Sequence, residues 1–375
     1  MNFSLLSTML MALSSVCLFF VGYAQQFSGS VAVSALFAFG DSILDTGNNN
    51  NLNTLSKCNF FPYGRNFIGG KATGRFGNGR VFSDMIAEGL NVKKLLPAYR
   101  DPNLSKNDLP TGVCFASGGS GLDERTARSQ GVIWVPDQVK DFKEYIMKLN
   151  GVVRDKRKVN AIISNAVYLI SAGNNDLAIT YPTLMAQYTV STYTDLLVTW
   201  TDNLLKVHYF KIFVIKHNCM IGLFRNLLIL FFGYLKSLYA MGARKFAVLG
   251  TLPLGCLPGA RHTGGNFGNI CLVPINQVAA IFNQKLSAKL NNLHTILPGA
   301  KFVYVDMYNP LLNLINNPRA SGFIDVADGC CCMPTSPVPC PDASQYVFWD
   351  FAHPSEKSYM TIAPKIIEGI KKNLA

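Results

Sequence analysis

The stretch Val33-Ser34-Ala35-Leu36-Phe37-Ala38-Phe39-Gly40-Asp41-Ser42 decides how the rest of the chain is read. Seven uncharged, mostly apolar residues stop at a glycine, the pattern of a strand buried on both faces. Four more runs end in the same way: Val113 to Ala116, Ala166 to Ser171, Phe246 to Leu249 and Phe302 to Val305. Longer helical patterns separate them, so the chain predicts an α/β fold with a central parallel sheet of about five strands and helices on both faces. Ligands of such sheets gather beyond the carboxyl ends of the strands, which makes the residues after each run the candidates for chemistry.

Three of those runs lead into unusual sequence. After the first stand Gly40-Asp41-Ser42-Ile43-Leu44-Asp45-Thr46-Gly47 and four asparagines. The glycine permits a sharp turn that presents Ser42 at the sheet edge, with its own N–H free to meet an oxyanion. The hydrolase elbow Gly-x-Ser-x-Gly occurs nowhere in the chain. After the second run comes Ala116-Ser117-Gly118-Gly119-Ser120-Gly121, whose backbone N–H groups suit an oxyanion or a phosphate. No Walker lysine follows, and nucleotide binding is set aside. The third run ends in Gly173-Asn174-Asn175-Asp176, where an amide can donate to developing charge without titrating. Taken alone, the first and third blocks are turn signals and the second is a flexible loop.

Near the other end, Asp350-Phe351-Ala352-His353-Pro354 sets a carboxylate three residues before a histidine. One turn can then hold both side chains on one side, so that the carboxylate fixes the imidazole tautomer and the imidazole serves Ser42 as base, then acid. His208, His217, His262 and His294 have no such partner and are read as surface or core.

In this order the four blocks resemble the GDSL-type esterases and lipases of plants, within the SGNH hydrolases, and the likeness runs over essentially the whole mature chain, a single domain expected over residues 25–375. Ala243-Arg244-Lys245 before Leu252-Pro253-Leu254-Gly255-Cys256, and Tyr346-Val347-Phe348-Trp349 before Asp350, are also family-like. The resemblance implies a three-layer α/β/α sandwich and a secreted serine ester hydrolase that needs no metal or cofactor. By it Ser42, Asp350 and His353 match the triad, and Ser42, Gly119 and Asn175 the oxyanion hole. Two positions depart from the family: Cys114 stands where asparagine is usual, and Cys332 where glycine is common. Such an enzyme would act on a small-molecule ester or lipid; an acyltransferase passing the acyl group to an alcohol, as in cutin building, and an inactive secreted product are the alternatives.

The first 24 residues carry no charge, are apolar from Leu5 to Val21 and end in Gly22-Tyr23-Ala24, a pattern that predicts a signal peptide cleaved after Ala24 and a secreted protein; an anchor or a buried helix is the other reading. Asn103-Leu104-Ser105 is a glycosylation sequon that agrees with export. Nine of the ten cysteines lie beyond the leader, an odd number, so at least one thiol is free or intermolecular. Cys330, Cys331, Cys332 and Cys340 crowd one loop and are read as disulfide staples, since no histidine completes a zinc spacing. The 49% hydrophobic and 15% charged content of 375 residues excludes a disordered chain. The net charge of +12 is scattered, which argues against nucleic acid and leaves contact with a cell-wall or membrane surface open.

One segment breaks the family pattern. A helix from Asp195 to Lys206 should continue into Ser237-Leu238-Tyr239-Ala240, but residues 207–236 intervene, with 20 apolar residues of 30, four Lys or Arg and no acid. A membrane segment from Cys219 to Leu235 would carry Arg225 and Asn226 at its middle. An added docked helix would need its own apolar partner surface. Translated intron is the preferred reading: Val207 and Lys236 allow codons with the usual intron borders, and the flanks join cleanly.

Overall fold

The computed structural model describes residues 33–199, 230–263, 270–333 and 338–374. The predicted leader, and residues 207–229 of the atypical segment, lie outside the described residues.

Strand β1 (Leu36–Gly40) and strand β2 (Val167–Ser171) are buried along their whole length, as their uninterrupted apolar runs require. They pair in parallel, Leu36 opposite Val167 through Gly40 opposite Ser171. Strands β3 (Lys245–Leu249) and β4 (Lys301–Val305) continue the sheet in the order β1-β2-β3-β4. The fifth expected run lies along the free edge of β1: Phe115 N–H donates to Ala38 O at 2.7 Å and Ser117 N–H to Gly40 O at 2.9 Å. The register brings Gly40, Ser171, Leu249 and Val305 to one carboxyl edge, so the segments that follow emerge side by side.

The longer helices are α1 (Phe82–Gly89), α2 (Val135–Val153), α3 (Lys156–Asn165), α4 (Val190–Thr199), α5 (Leu230–Ala240), α6 (Val273–Ile296), α7 (Tyr308–Asn316) and α8 (Glu356–Leu374). Helix α2 buries Val135, Val139, Phe142, Tyr145 and Leu149, a stripe at three- and four-residue spacing. Phe37 of β1 meets that stripe, its ring 5.1 Å from both Phe142 and Tyr145. Helix α8 packs against β3 and β4 and holds α1 through Phe82 and Tyr359. These layers make the expected α/β/α sandwich, and residues Val33–Leu374 belong to one compact unit.

A second, two-stranded parallel sheet was not foreseen: β5 (Asp325–Gly329) beside β6 (Tyr346–Phe348). Asp325-Val326-Ala327-Asp328-Gly329 has the composition of a turn, and only its partner makes it a strand. This small sheet delivers the chain to Asp350. The crowded cysteines are bridged, Cys330 to Cys340 and Cys331 to Cys332, and a third disulfide joins Cys256 to Cys271. Cys58 and Cys114 are buried thiols, and Cys17 and Cys219 lie outside the described residues.

Candidate active site

The turn that carries Ser42 starts where β1 ends. Gly40 has φ +117°, and a Cβ there would collide with the Ser171 carbonyl, so glycine alone lets the chain turn against the end of β2. Asp41 fastens the turn, accepting from Ile43 N–H at 3.1 Å, Ser171 Oγ at 2.8 Å and Asn174 Nδ2 at 2.9 Å. Burial raises its pKa against those donors.

At the opposite end of the chain, the Asp350 carboxylate closes its own turn by accepting the N–H groups of Ala352 and His353, each at 2.8 Å. Both of its oxygens lie 2.9 Å from His353 Nδ1, and His353 Nε2 lies 2.8 Å from Ser42 Oγ, across 311 positions of sequence. Asp350 is fully buried. Burial opposes its charge, but the adjoining imidazole and the two backbone donors outweigh burial and hold its pKa below the ordinary value of 3.8. The Tyr63 hydroxyl donates to Asp350 Oδ2 at 2.8 Å. Burial, and then the Asp350 charge, raise the Tyr63 pKa, so it remains a donor. Tyr63 escaped the sequence reading because Pro62-Tyr63-Gly64 signals only a turn.

The glycine loop sits on a frame of side chains that the sequence reading also passed over. Gly118 N–H donates to Asp45 Oδ2, and Gly118 O accepts from Asn49 Nδ2, both at 2.8 Å. Asn48 Nδ2 donates to Cys114 O at 2.9 Å and Ala116 O at 2.7 Å. Beyond the glycines, Asp176 accepts from Leu122 N–H, Asp123 N–H and Thr126 Oγ1, each at 2.8 Å. Burial pushes the carboxyls of Asp45 and Asp176 up to about 6 despite these donors. Cys114 is buried, and burial pushes its thiol up to about 12; it donates to Leu44 O at 3.2 Å, so the loop's support comes from Asp45, Asn48 and Asn49. The signal was present in the asparagine run after Gly47, whose amides can serve two backbone carbonyls at once.

Gly119 has φ +84°, and Asn175 Nδ2 donates at 2.8 Å to the carbonyl of Ser120, which puts that amide beside the glycine loop and leaves it a second N–H. Among the described residues, the N–H groups of Ser42 and Gly119 donate to no protein acceptor. The structure thus joins Ser42, His353 and Asp350 directly, and brings Gly119 and Asn175 together through Ser120. Cys332, the other departure, has φ +63°, a left-handed conformation that glycine adopts more easily. Of the remaining histidines, His262 has Nδ1 2.9 Å from Pro258 O, His294 is exposed, and His208 and His217 lie outside the described residues. Among the described residues no group of His, Cys, Asp and Glu could hold a metal ion.

Comparison with known proteins follows the same lines. The family described as GDSL-like Lipase/Acylhydrolase matches residues 36–366. The chain is 92% identical over 375 residues to GDSL esterase/lipase At1g23500 of Arabidopsis thaliana, covering 100% of both chains. It is 63% identical over 378 residues to GDSL esterase/lipase At1g73610 of the same plant, again 100% of both. GDSL esterase/lipase At5g63170, also from Arabidopsis thaliana, is 56% identical over 346 residues, covering 92% of this chain and 93% of that one.

Proposed function

Because the chain belongs to the GDSL-like lipase and acylhydrolase family and is an ester hydrolase of that kind, we propose that it cleaves carboxylic esters through an acyl-enzyme on Ser42. His353 Nε2 takes the Ser42 proton as Oγ attacks the ester carbonyl and returns it to the departing alcohol. Asp350 holds Nδ1–H and offsets the charge of the imidazolium. The N–H groups of Ser42 and Gly119, with the Asn175 amide, receive the oxyanion. Water then repeats the sequence on the acyl-enzyme.

The observation that carries this reading is the 2.8 Å separation of His353 Nε2 from Ser42 Oγ, with Asp350 on the far nitrogen. Ser42→Ala should lower turnover of a nitrophenyl acyl ester by about a thousandfold or more, at an unchanged melting temperature. Undiminished turnover would refute the assignment.

We also place the protein outside the cell. The uncharged apolar leader supports this, as does the exposure of the Asn103 sequon. Secreted material should begin at Gln25 and lose mass on treatment with an N-glycosidase.

A further inference from the structure

Beside the triad lies an apolar cleft of about 790 Å³, within the size range of pockets that enclose a small-molecule ligand. One wall is a single face of α6, where Ile275, Val278 and Ile281 follow at spacings of three. Leu177 and Met185 belong to the segment after Asn175, which also lines the cleft. Phe351, between Asp350 and His353, lines it too, so the cleft reaches both the proposed oxyanion donor and the triad turn. Among the described residues, none of its lining side chains carries a charge. Met185 and Phe351 are 60% and 50% exposed, large apolar side chains at the mouth of the cleft.

We propose that this cleft holds the acyl part of the substrate, that the acyl group is an uncharged aliphatic chain of medium length or longer, and that Val278 and Ile281 of α6 set the length accepted. The proposal rests on the ester-hydrolase reading. A phosphate, sugar or amine placed here would lose its water and find no countercharge. Each methylene buried here strengthens binding about fourfold. The cleft begins at Asn175, where the carbonyl oxygen would be held, and we assign it to the acyl chain because that half stays attached to Ser42 after the alcohol has left. Polar groups of the ester therefore belong to the alcohol.

The test uses the full chain and nitrophenyl esters from acetate through butyrate and octanoate to laurate. kcat/KM should rise along the series by at least about tenfold. Val278→Trp and Ile281→Trp should each reduce the laurate-to-acetate ratio of kcat/KM by about tenfold or more, a ratio that the folded fraction of the preparation does not change. The proposal is overturned by a flat series from an active enzyme, by an unchanged ratio in both variants, or by length dependence found only when acetate is kept and the alcohol is lengthened. If no ester is turned over and Ser42 takes no fluorophosphonate, the ester-hydrolase reading has itself failed and this one falls with it.

Discussion

Tyr63 reaches Asp350 from a loop 287 positions away and adds the one side-chain donor that the carboxylate has besides His353 among the described residues. Its hydroxyl favours the charged carboxylate that the imidazolium needs. Tyr63→Phe keeps the ring and removes a hydrogen bond to a charged group, a loss of about 1.5–3 kcal/mol. The expected outcome is kcat lowered by roughly tenfold or more with KM little changed, read from steady-state kinetics on a nitrophenyl ester; unchanged kcat would mean that the backbone donors alone suffice. The proposed triad was legible because its two halves are local: Gly40 marks the turn before Ser42, and Asp350 stands three positions before His353. Tyr63 was not, since a hydroxyl acquires its meaning from a partner that only folding supplies.

At the scale of elements, the glycine loop is held at one end by Asp45 and beyond the other by Asp176. Asp45→Ala would release the N–H groups of Gly47, Asn48 and Gly118. A displaced oxyanion donor should lower kcat by about a hundredfold, and fluorophosphonate labelling should slow in proportion. These two carboxyls also set a pH dependence. Each titrates near 6 when folded, against 3.8 ordinarily. Since the folded state binds their protons more tightly, the stability they contribute is complete below about pH 3.8 and is lost as pH rises through 6, about 3 kcal/mol for each. Asp350 has the opposite sign: its contribution is present above 3.8 and is lost as pH falls through its lowered folded value. Between pH 7 and pH 5 the melting temperature should therefore rise as pH falls, and Asp176→Asn should flatten that slope. A wild-type melting temperature that falls over this interval would contradict the assignment. Four of the five runs of the main sheet were readable because full burial demands continuous apolar sequence, and the fifth, β4, keeps an apolar run although it is only half-buried. β5 and β6 were not, because β5 has only two apolar residues and β6 is only three residues long, so each owes its form to its neighbour.

For the whole molecule, the open question in the sequence is residues 207–236. The last of them, Leu230 to Lys236, open α5, where Leu235 is fully buried and the Tyr234 ring stands edge-on to Phe39, with centroids 5.6 Å apart. The chain before the segment ends in Leu204-Leu205-Lys206, so joining Lys206 to Ser237 would bring leucines to the places of Tyr234 and Leu235 and keep the lysine. This repeat of register is what the intron reading expects of the two flanks. Transcripts should mostly lack these 30 codons, and a protein without residues 207–236 should be more soluble and melt higher. Messages that retain the codons, or a lower melting temperature on deletion, would favour a docked or membrane helix. None of the residues of the proposed triad or its frame lies within the segment.

The account depends most on Ser42 being an activated nucleophile, and fluorophosphonate labelling followed by peptide mapping measures that directly. The full chain should carry one adduct, on the peptide containing Ser42, and His353→Ala should lose it. An adduct on another serine, or equal labelling of His353→Ala, would contradict the account.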